Sequence, residues 1–245
     1  MKTLTLERVF HPDGKHLGSI FAGTSGSGKT TAVVSMLQAA AKSKTFGPEH
    51  RFLIIDPKRQ PGDYDLMVDP ITDIDKAMKS LEEERITIYW PDMEHMEEQV
   101  SHLANYVFDL ADSSTKASFT FILDEASILI TPTKLPLALK RLAVQGRAKR
   151  IMPIWITQRP LVNRWTDANV SNMFLFRTLP VDADSLAKRW GLDFEETMTI
   201  VREVDYSFMW FDLEKAHLQK MEPVSLPKRW KRKKKSKWSI FKRLI

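Results

Sequence analysis

Eight residues near the start of the chain, Gly23-Thr24-Ser25-Gly26-Ser27-Gly28-Lys29-Thr30, fit the pattern G-x-x-x-x-G-K-[ST] at every fixed position. Glycines at these places let the backbone turn tightly enough for several N–H groups to converge on one polyphosphate. Lys29 adds a point charge for the β- and γ-phosphates, and the Thr30 hydroxyl is a ligand suited to Mg²⁺. A Gly/Ser linker would share the composition but not the setting. Residues 17–22 (LGSIFA) read as a short buried strand before the loop. Residues 31–41 (TAVVSMLQAAA) contain neither Gly nor Pro and read as a helix after it. Strand, glycine loop, helix is the setting in which this motif binds a nucleotide. Residues Gly23 through Thr31 are therefore the expected binding loop for ATP with Mg²⁺.

The rest of the chain must fold around that unit. Apolar runs of strand length recur at 51–55, 86–90, 119–123, 151–157, 173–177 and 206–211. Between them, helical periodicity appears at 73–84, 94–111, 135–150 and 182–190, the third of these basic and broken at Gly146. Strands alternating with helices predict an α/β fold, a mostly parallel central sheet covered by helices on both faces. Pro153 argues against a regular central ladder in the 151–157 strand. No internal repeat is visible.

A nucleotide loop of this kind needs a second acidic element. Phe119-Thr120-Phe121-Ile122-Leu123 leads directly into Asp124-Glu125. A buried strand delivers the residues at its end to the carboxyl edge of the sheet, where ligands bind in open α/β folds. Asp124 is then placed to hold Mg²⁺ and Glu125 to polarise an attacking water. Taken alone, the acidic pair could equally cap a following helix. Gln158, in Thr157-Gln158-Arg159-Pro160 after the 151–157 strand, is a polar amide able to sense a γ-phosphate or orient water. In isolation it could as well be a turn residue.

In order, these landmarks are the glycine loop, Asp56-Pro57-Lys58 after a strand, Asp124-Glu125, Gly146-Arg147 before a strand, and Thr157-Gln158-Arg159-Pro160. Together they resemble the FtsK/HerA superfamily of DNA-pumping P-loop ATPases across residues 17–212. Within it, the short chain resembles the genome-packaging ATPases of membrane-containing icosahedral viruses, the tectivirus-like and archaeal-virus group. The resemblance implies a RecA-like (ASCE) fold in which the strand carrying Gln158 lies between the Walker A and Walker B strands. It implies ATP hydrolysis through Lys29, Thr30, Asp124, Glu125 and Gln158, and a homo-oligomeric ring, usually a hexamer, gripping double-stranded DNA by its phosphate backbone. Such rings reach a neighbour's γ-phosphate with an arginine. Arg147 is the first candidate here, followed by Arg150 and Arg177; a solvated basic face or a DNA-facing patch explains Arg147 equally well. Larger members carry an additional barrel or membrane domain for which this chain has no room, which favours the packaging branch. A conjugation or filamentous-phage extrusion ATPase, or a cellular HerA-type relative, is the second reading. A small-molecule kinase should show an arginine-rich lid, and a nucleotide-gated scaffold at a virion vertex is the non-enzymatic alternative.

Charge divides the molecule. Ten of its 37 Lys and Arg, and none of its 31 Asp and Glu, fall within 228–245. Residues 1–227, the expected ATPase domain, thus carry a net −4. The terminal segment is a dense basic run followed by Trp238, Phe241, Leu244 and Ile245 at helical spacing. Such a segment suits DNA phosphates, an anionic membrane or a capsid vertex protein; a disordered solubilising tail is the plain alternative. Zero cysteines exclude disulfides and thiolate zinc sites. The six histidines (His11, His16, His50, His95, His102 and His217) form no ligand cluster, with His11 and His16 reading as turn residues. The sequence shows neither a signal-peptide run nor an 18-residue apolar span. The expected location is the packaging vertex of a virion or the host cytoplasm.

Overall fold

Strands rich in Ile, Phe and Leu on both faces need cover on both sides, and the chain provides it. The computed structural model describes residues 4–12, 17–114, 116–160, 163–202, 206–215 and 217–229. Eight strands form one sheet: β1 (Gly18–Ala22), β2 (His50–Ile55), β3 (Ile86–Tyr89), β4 (Ser118–Leu123), β5 (Ile151–Thr157), β6 (Val170–Leu175), β7 (Phe208–Asp212) and β8 (His217–Met221). Their order is β3-β2-β4-β5-β1-β6-β7-β8. The first six are mutually parallel, while β7 and β8 close one edge antiparallel. The mixed sheet is the mostly parallel one that the sequence predicts.

Alternation along each strand splits the core in two. Ile20, Leu53, Ile55, Phe121, Leu123 and Trp155 face helices α3 (Ile74–Glu83), α4 (Met96–Ser113), α5 (Leu137–Gln145) and α7 (Pro180–Trp190). Phe21, Phe52, Ile54, Ile122, Ile154 and Phe174 face α1 (Leu6–Phe10) and α2 (Lys29–Lys42). Two short helices, α6 (Arg164–Asp167) and α8 (Phe194–Arg202), complete the set. Burying each such apolar side chain contributes about 1.5–3 kcal/mol, so the two layers outweigh any single loop contact and fix where the loops emerge. Asp73 caps α3 by accepting the Lys76 N–H at 3.0 Å.

The structure corrects the reading of Pro153. β5 is central, paired to β4 on one side and to β1 on the other. A proline is tolerated because the β1–β5 register begins only at Ser19–Ile154. Gly18 stands against it, where a Cβ would come within 2.7 Å of the Pro153 carbonyl oxygen. The basic helical stretch at 135–150 resolves into α5 and a separate 3₁₀ turn at Arg147–Lys149, with the break at Gly146. A side chain there would collide with the Leu142 carbonyl at 2.5 Å.

The last described segment is tied back to the body. Gln38 on α2 donates to the Lys228 carbonyl at 2.7 Å and accepts from its N–H at 3.2 Å. Most of the basic segment expected at 228–245, from 230 onward, lies outside the described residues, as does His16. No helix among the described residues is long and apolar enough to cross a membrane.

Candidate nucleotide-hydrolysis site

The glycine loop leaves β1 and enters α2, as the motif requires. Gly28 is the N-cap of α2 with φ of 93°, a left-handed conformation that an L side chain rarely adopts. Gly23 is excluded from substitution by space: a Cβ there would lie 2.8 Å from Phe176 Cβ and 3.0 Å from the Arg177 carbonyl oxygen. That carbonyl accepts both the Thr24 N–H at 2.8 Å and the Thr24 hydroxyl at 3.1 Å. The end of β6 thereby anchors one side of the loop. Lys29 reaches back across it to donate to the Thr24 carbonyl at 2.8 Å. Burial, and secondarily the nearby Lys58, pull its ammonium down to about 8, with Glu125 and Asp124 opposing the shift. Ser27 Oγ is buried with no hydrogen-bond partner among the described residues. An orphaned hydroxyl beside a buried lysine is what a polyphosphate would satisfy.

The acidic element meets the loop from the other side of β5. Thr30 Oγ1 donates to Asp124 Oδ2 at 3.1 Å. A hydroxyl and a carboxylate converging beside a phosphate loop form the oxygen donor set that Mg²⁺ takes, completed by phosphate and water. Among the described residues, no three His, Asp or Glu side chains are gathered to hold a metal on their own. Thr30 and Asp124 would therefore hold the ion together with the nucleotide, and Mg²⁺ would supply charge neutralisation on the phosphates.

Glu125 stands at the N-cap position of the next turn, but its side chain does not cap it. Its backbone is left-handed (φ 49°, ψ 44°), and its side chain makes no cap hydrogen bond to the 3₁₀ turn Ala126–Ile128. Instead, Gln158 Nε2 donates to Glu125 Oε1 at 2.5 Å, and Lys58 Nζ lies 2.5 Å from Oε2. A non-glycine residue held in this conformation costs free energy that the surrounding contacts must offset, a feature that clusters at active sites. The β4–β5 pairing makes the Gln158–Glu125 contact possible, because adjacent parallel strands deliver both side chains to one edge.

Two residues without a role in the sequence reading join the cluster. Lys58, from Asp56-Pro57-Lys58, bridges Glu125 and Asp124, the latter at 3.5 Å. Burial pulls its ammonium down, but Asp124 and Glu125 outweigh it and hold it above its ordinary value. Asp56 accepts Trp90 Nε1 at 3.0 Å and the Lys58 N–H at 3.1 Å. Burial first, and Asp124 second, push its carboxyl up to about 6. The signal for Lys58 was present in the sequence, as a lysine two residues beyond a strand-ending aspartate. Which acids it would meet depended on β2 lying beside β4.

The three arginines separate. Arg150 is not available to a neighbour: its guanidinium donates to the carbonyls of Ala117, Ala111 and Ser114, tying off the C-terminal end of α4. Arg177 sits at the end of β6 against its own glycine loop, through the Thr24 contacts above. Arg147 is exposed on the turn leading into β5, at the sheet edge opposite its own loop. Arg159, next to Gln158, instead donates to Asp182 Oδ1 at 2.8 and 3.2 Å and ties the sensor segment to the first turn of α7.

This combination of sheet order, glycine loop and acidic strand end is a P-loop NTPase fold, with β5 between the strand that carries the glycine loop and the strand that ends in the acidic pair. Solved structures of that fold superpose on nearly the whole chain. The genome packaging NTPase B204 from Sulfolobus turreted icosahedral virus 2, in complex with ATP-gammaS, matches with a TM-score of 0.69 at 16% identity, covering 87% of this chain and 99% of that one. B204 described as the DNA-packaging ATPase from Sulfolobus turreted icosahedral virus gives 0.68 at 16% identity, covering 85% and 98%. VirB4 of Thermoanaerobacter pseudethanolicus gives 0.61 at 13%, covering 86% and 90%. No protein-family profile matches the chain, and no curated protein matches it in sequence.

Proposed function

We propose that this chain is an ATP-hydrolysing motor that drives double-stranded DNA into a preformed viral capsid. The Gln158–Glu125 hydrogen bond carries the reading. A site that only binds a nucleotide, or transfers its phosphoryl group to a small molecule, does not need a carboxylate held by an amide beside the Mg²⁺ acid. A site that activates water does. Lys29 and the loop N–H groups bind the polyphosphate, Glu125 accepts the proton of the attacking water, and Gln158 fixes the carboxylate that accepts it. The near-complete overlap with B204, which is named as a DNA-packaging ATPase and has been captured with ATP-gammaS, supports a packaging role over a kinase.

The ring and its cargo belong to this proposal. Arg147, exposed and turned away from its own loop, suits action on a neighbouring subunit in a hexamer, where an arginine supplied in trans stabilises transition-state charge. The basic segment 228–245 would hold DNA phosphates, an anionic membrane or a vertex protein, and the complex would work at the packaging vertex or in the host cytoplasm. The test is the ATPase rate with and without duplex DNA, for the wild type and Glu125→Gln. Stimulation by DNA in the wild type, with ATP bound but not turned over in the variant, is the expected result. Turnover indifferent to DNA would remove the motor. A variant indistinguishable from wild type would favour the vertex scaffold, and stimulation by single-stranded DNA alone would favour the conjugation-type reading.

A further inference from the structure

Tyr206 stands on the flank of the glycine loop that the hydrolytic residues do not occupy. β7 runs antiparallel to β6 with Leu175 opposite Met209, so the residues leading into β7 lie at the same sheet edge as the loop. The rings of Phe176 and Phe208, stacked at 4.9 Å, pin the start of β7 to the end of β6. Tyr206 then reaches over the loop itself: a Cβ on Gly28 would lie 3.1 Å from its Cδ1 and 3.8 Å from its Cγ. Gly28 needs to be glycine for its φ, and a side chain there would also press on this ring.

Two features set Tyr206 apart from packing. It is 60% exposed, although large aromatic side chains in this protein are mostly buried. Its backbone is left-handed, with φ of 65°, a conformation unusual for a bulky side chain. A ring held out over a binding loop at a backbone cost has the marks of a ligand contact.

The direction of a bound polyphosphate identifies the ligand. Asp124, Glu125 and Gln158 are gathered on the β5 and β4 side of β1, so the γ end would lie there. The sugar and base leave from the opposite end, and the opposite side of β1 is β6 and β7. We propose that Tyr206 is the specificity-determining residue that stacks on the base and selects a purine nucleoside triphosphate. The larger π surface of a purine gains more from such a platform than a pyrimidine does. The inference rests on the nucleotide-binding reading of Gly23–Thr30.

Isothermal titration of the full chain with a non-hydrolysable ATP analogue, its CTP counterpart and inorganic tripolyphosphate, each with Mg²⁺, separates the two claims. Tyr206→Phe should bind all three as the wild type does. Tyr206→Gly, which relieves the left-handed strain and so spares the fold, should bind the ATP analogue about tenfold more weakly and lose its preference over CTP. Tripolyphosphate should bind it unchanged, showing that the loop is intact. Unchanged or tighter ATP binding in Tyr206→Gly, or an equal loss for tripolyphosphate, would overturn the assignment of Tyr206 alone. Failure of the wild type to bind either ATP or tripolyphosphate would overturn the nucleotide-binding reading, and this inference with it.

Discussion

On the flank of β1 held by β5 and β4, the polar side chains at the sheet edge bind one another: Thr30 to Asp124, Gln158 to Glu125, and Lys58 to both acids. On the flank held by β6 and β7, the same loop is met by backbone and aromatic groups, the Arg177 carbonyl and the Tyr206 ring. The first flank is preorganised, with charges paired and little freedom to relax. The second leaves the Tyr206 ring open to solvent. Chemistry at a γ-phosphate rewards fixed charges aimed at a transition state, whereas a base needs only area and shape. One loop thus serves two tasks because its two neighbours in the sheet differ.

Breaking the first flank should have the largest consequence. Glu125→Gln keeps the amide contact geometry but removes the proton acceptor, so the ATPase rate should fall by roughly 10²–10⁴ while ATP still binds. Single-turnover kinetics beside equilibrium binding checks this. Gln158→Ala leaves the acceptor but releases it, and the rate should fall about 10–100-fold, roughly 1.4–2.7 kcal/mol of activation free energy, with KM little changed. A KM rise of the same size would show that Gln158 binds substrate and does not position Glu125.

Lys58→Met sharpens the comparison from the charge side. It leaves two carboxylates facing each other, and because Lys58 is about one-third exposed, the loss should be about 1–2 kcal/mol, below that of a fully buried pair. Mg²⁺ should restore more of the thermal stability in this variant than in wild type, since the competing cation is gone. Scanning calorimetry with and without Mg²⁺ reads this directly.

The smallest effect on catalysis comes from the far edge of the sheet. His50 is fully buried between the hydroxyls of Ser118 and Thr120, 2.8 and 2.9 Å away. Burial, then the charges of His11, Arg85 and Arg51, push it down to about 3. The neutral ring is favoured in the folded state, so its contribution is complete above about pH 6.5 and is lost as pH falls toward 3, at up to about 1.4 kcal/mol per pH unit. His50→Gln should flatten that part of the acid profile in denaturant titrations at pH 7, 5 and 4. Its ATPase rate at neutral pH should stay near that of the wild type.

How much of this was legible in the sequence differs between the flanks. Gly23–Thr30, Asp124-Glu125 and Gln158 announce themselves because phosphate and water chemistry demands particular side chains at fixed offsets from buried strands. Tyr206 carries no such signature, since a platform for a base is defined by what it lies over. Arg150 shows the reverse error. Its place before β5 suits a trans arginine in the sequence, yet three carbonyls at the end of α4 claim its guanidinium. Pro153 misleads for a similar reason, because a missing donor matters only where the neighbouring strand needs one. β8 was invisible because an edge strand that is exposed or half-buried along its whole length (His217–Met221) lacks the apolar run that marks the buried ones.

The sequence by itself determined the local units: the loop between strand and helix, the apolar strands that end in acid or amide, and the alternation that calls for a sheet covered on both faces. These depend on backbone sterics and side-chain periodicity over a few residues. Only the tertiary structure decided the order β4-β5-β1-β6-β7, and with it which side chains meet. Glu125 finds Gln158 33 residues away, and Tyr206 reaches Gly28 from the far end of the chain. Neighbourhood in a sheet is set by the packing of whole layers, and no short stretch of sequence encodes it.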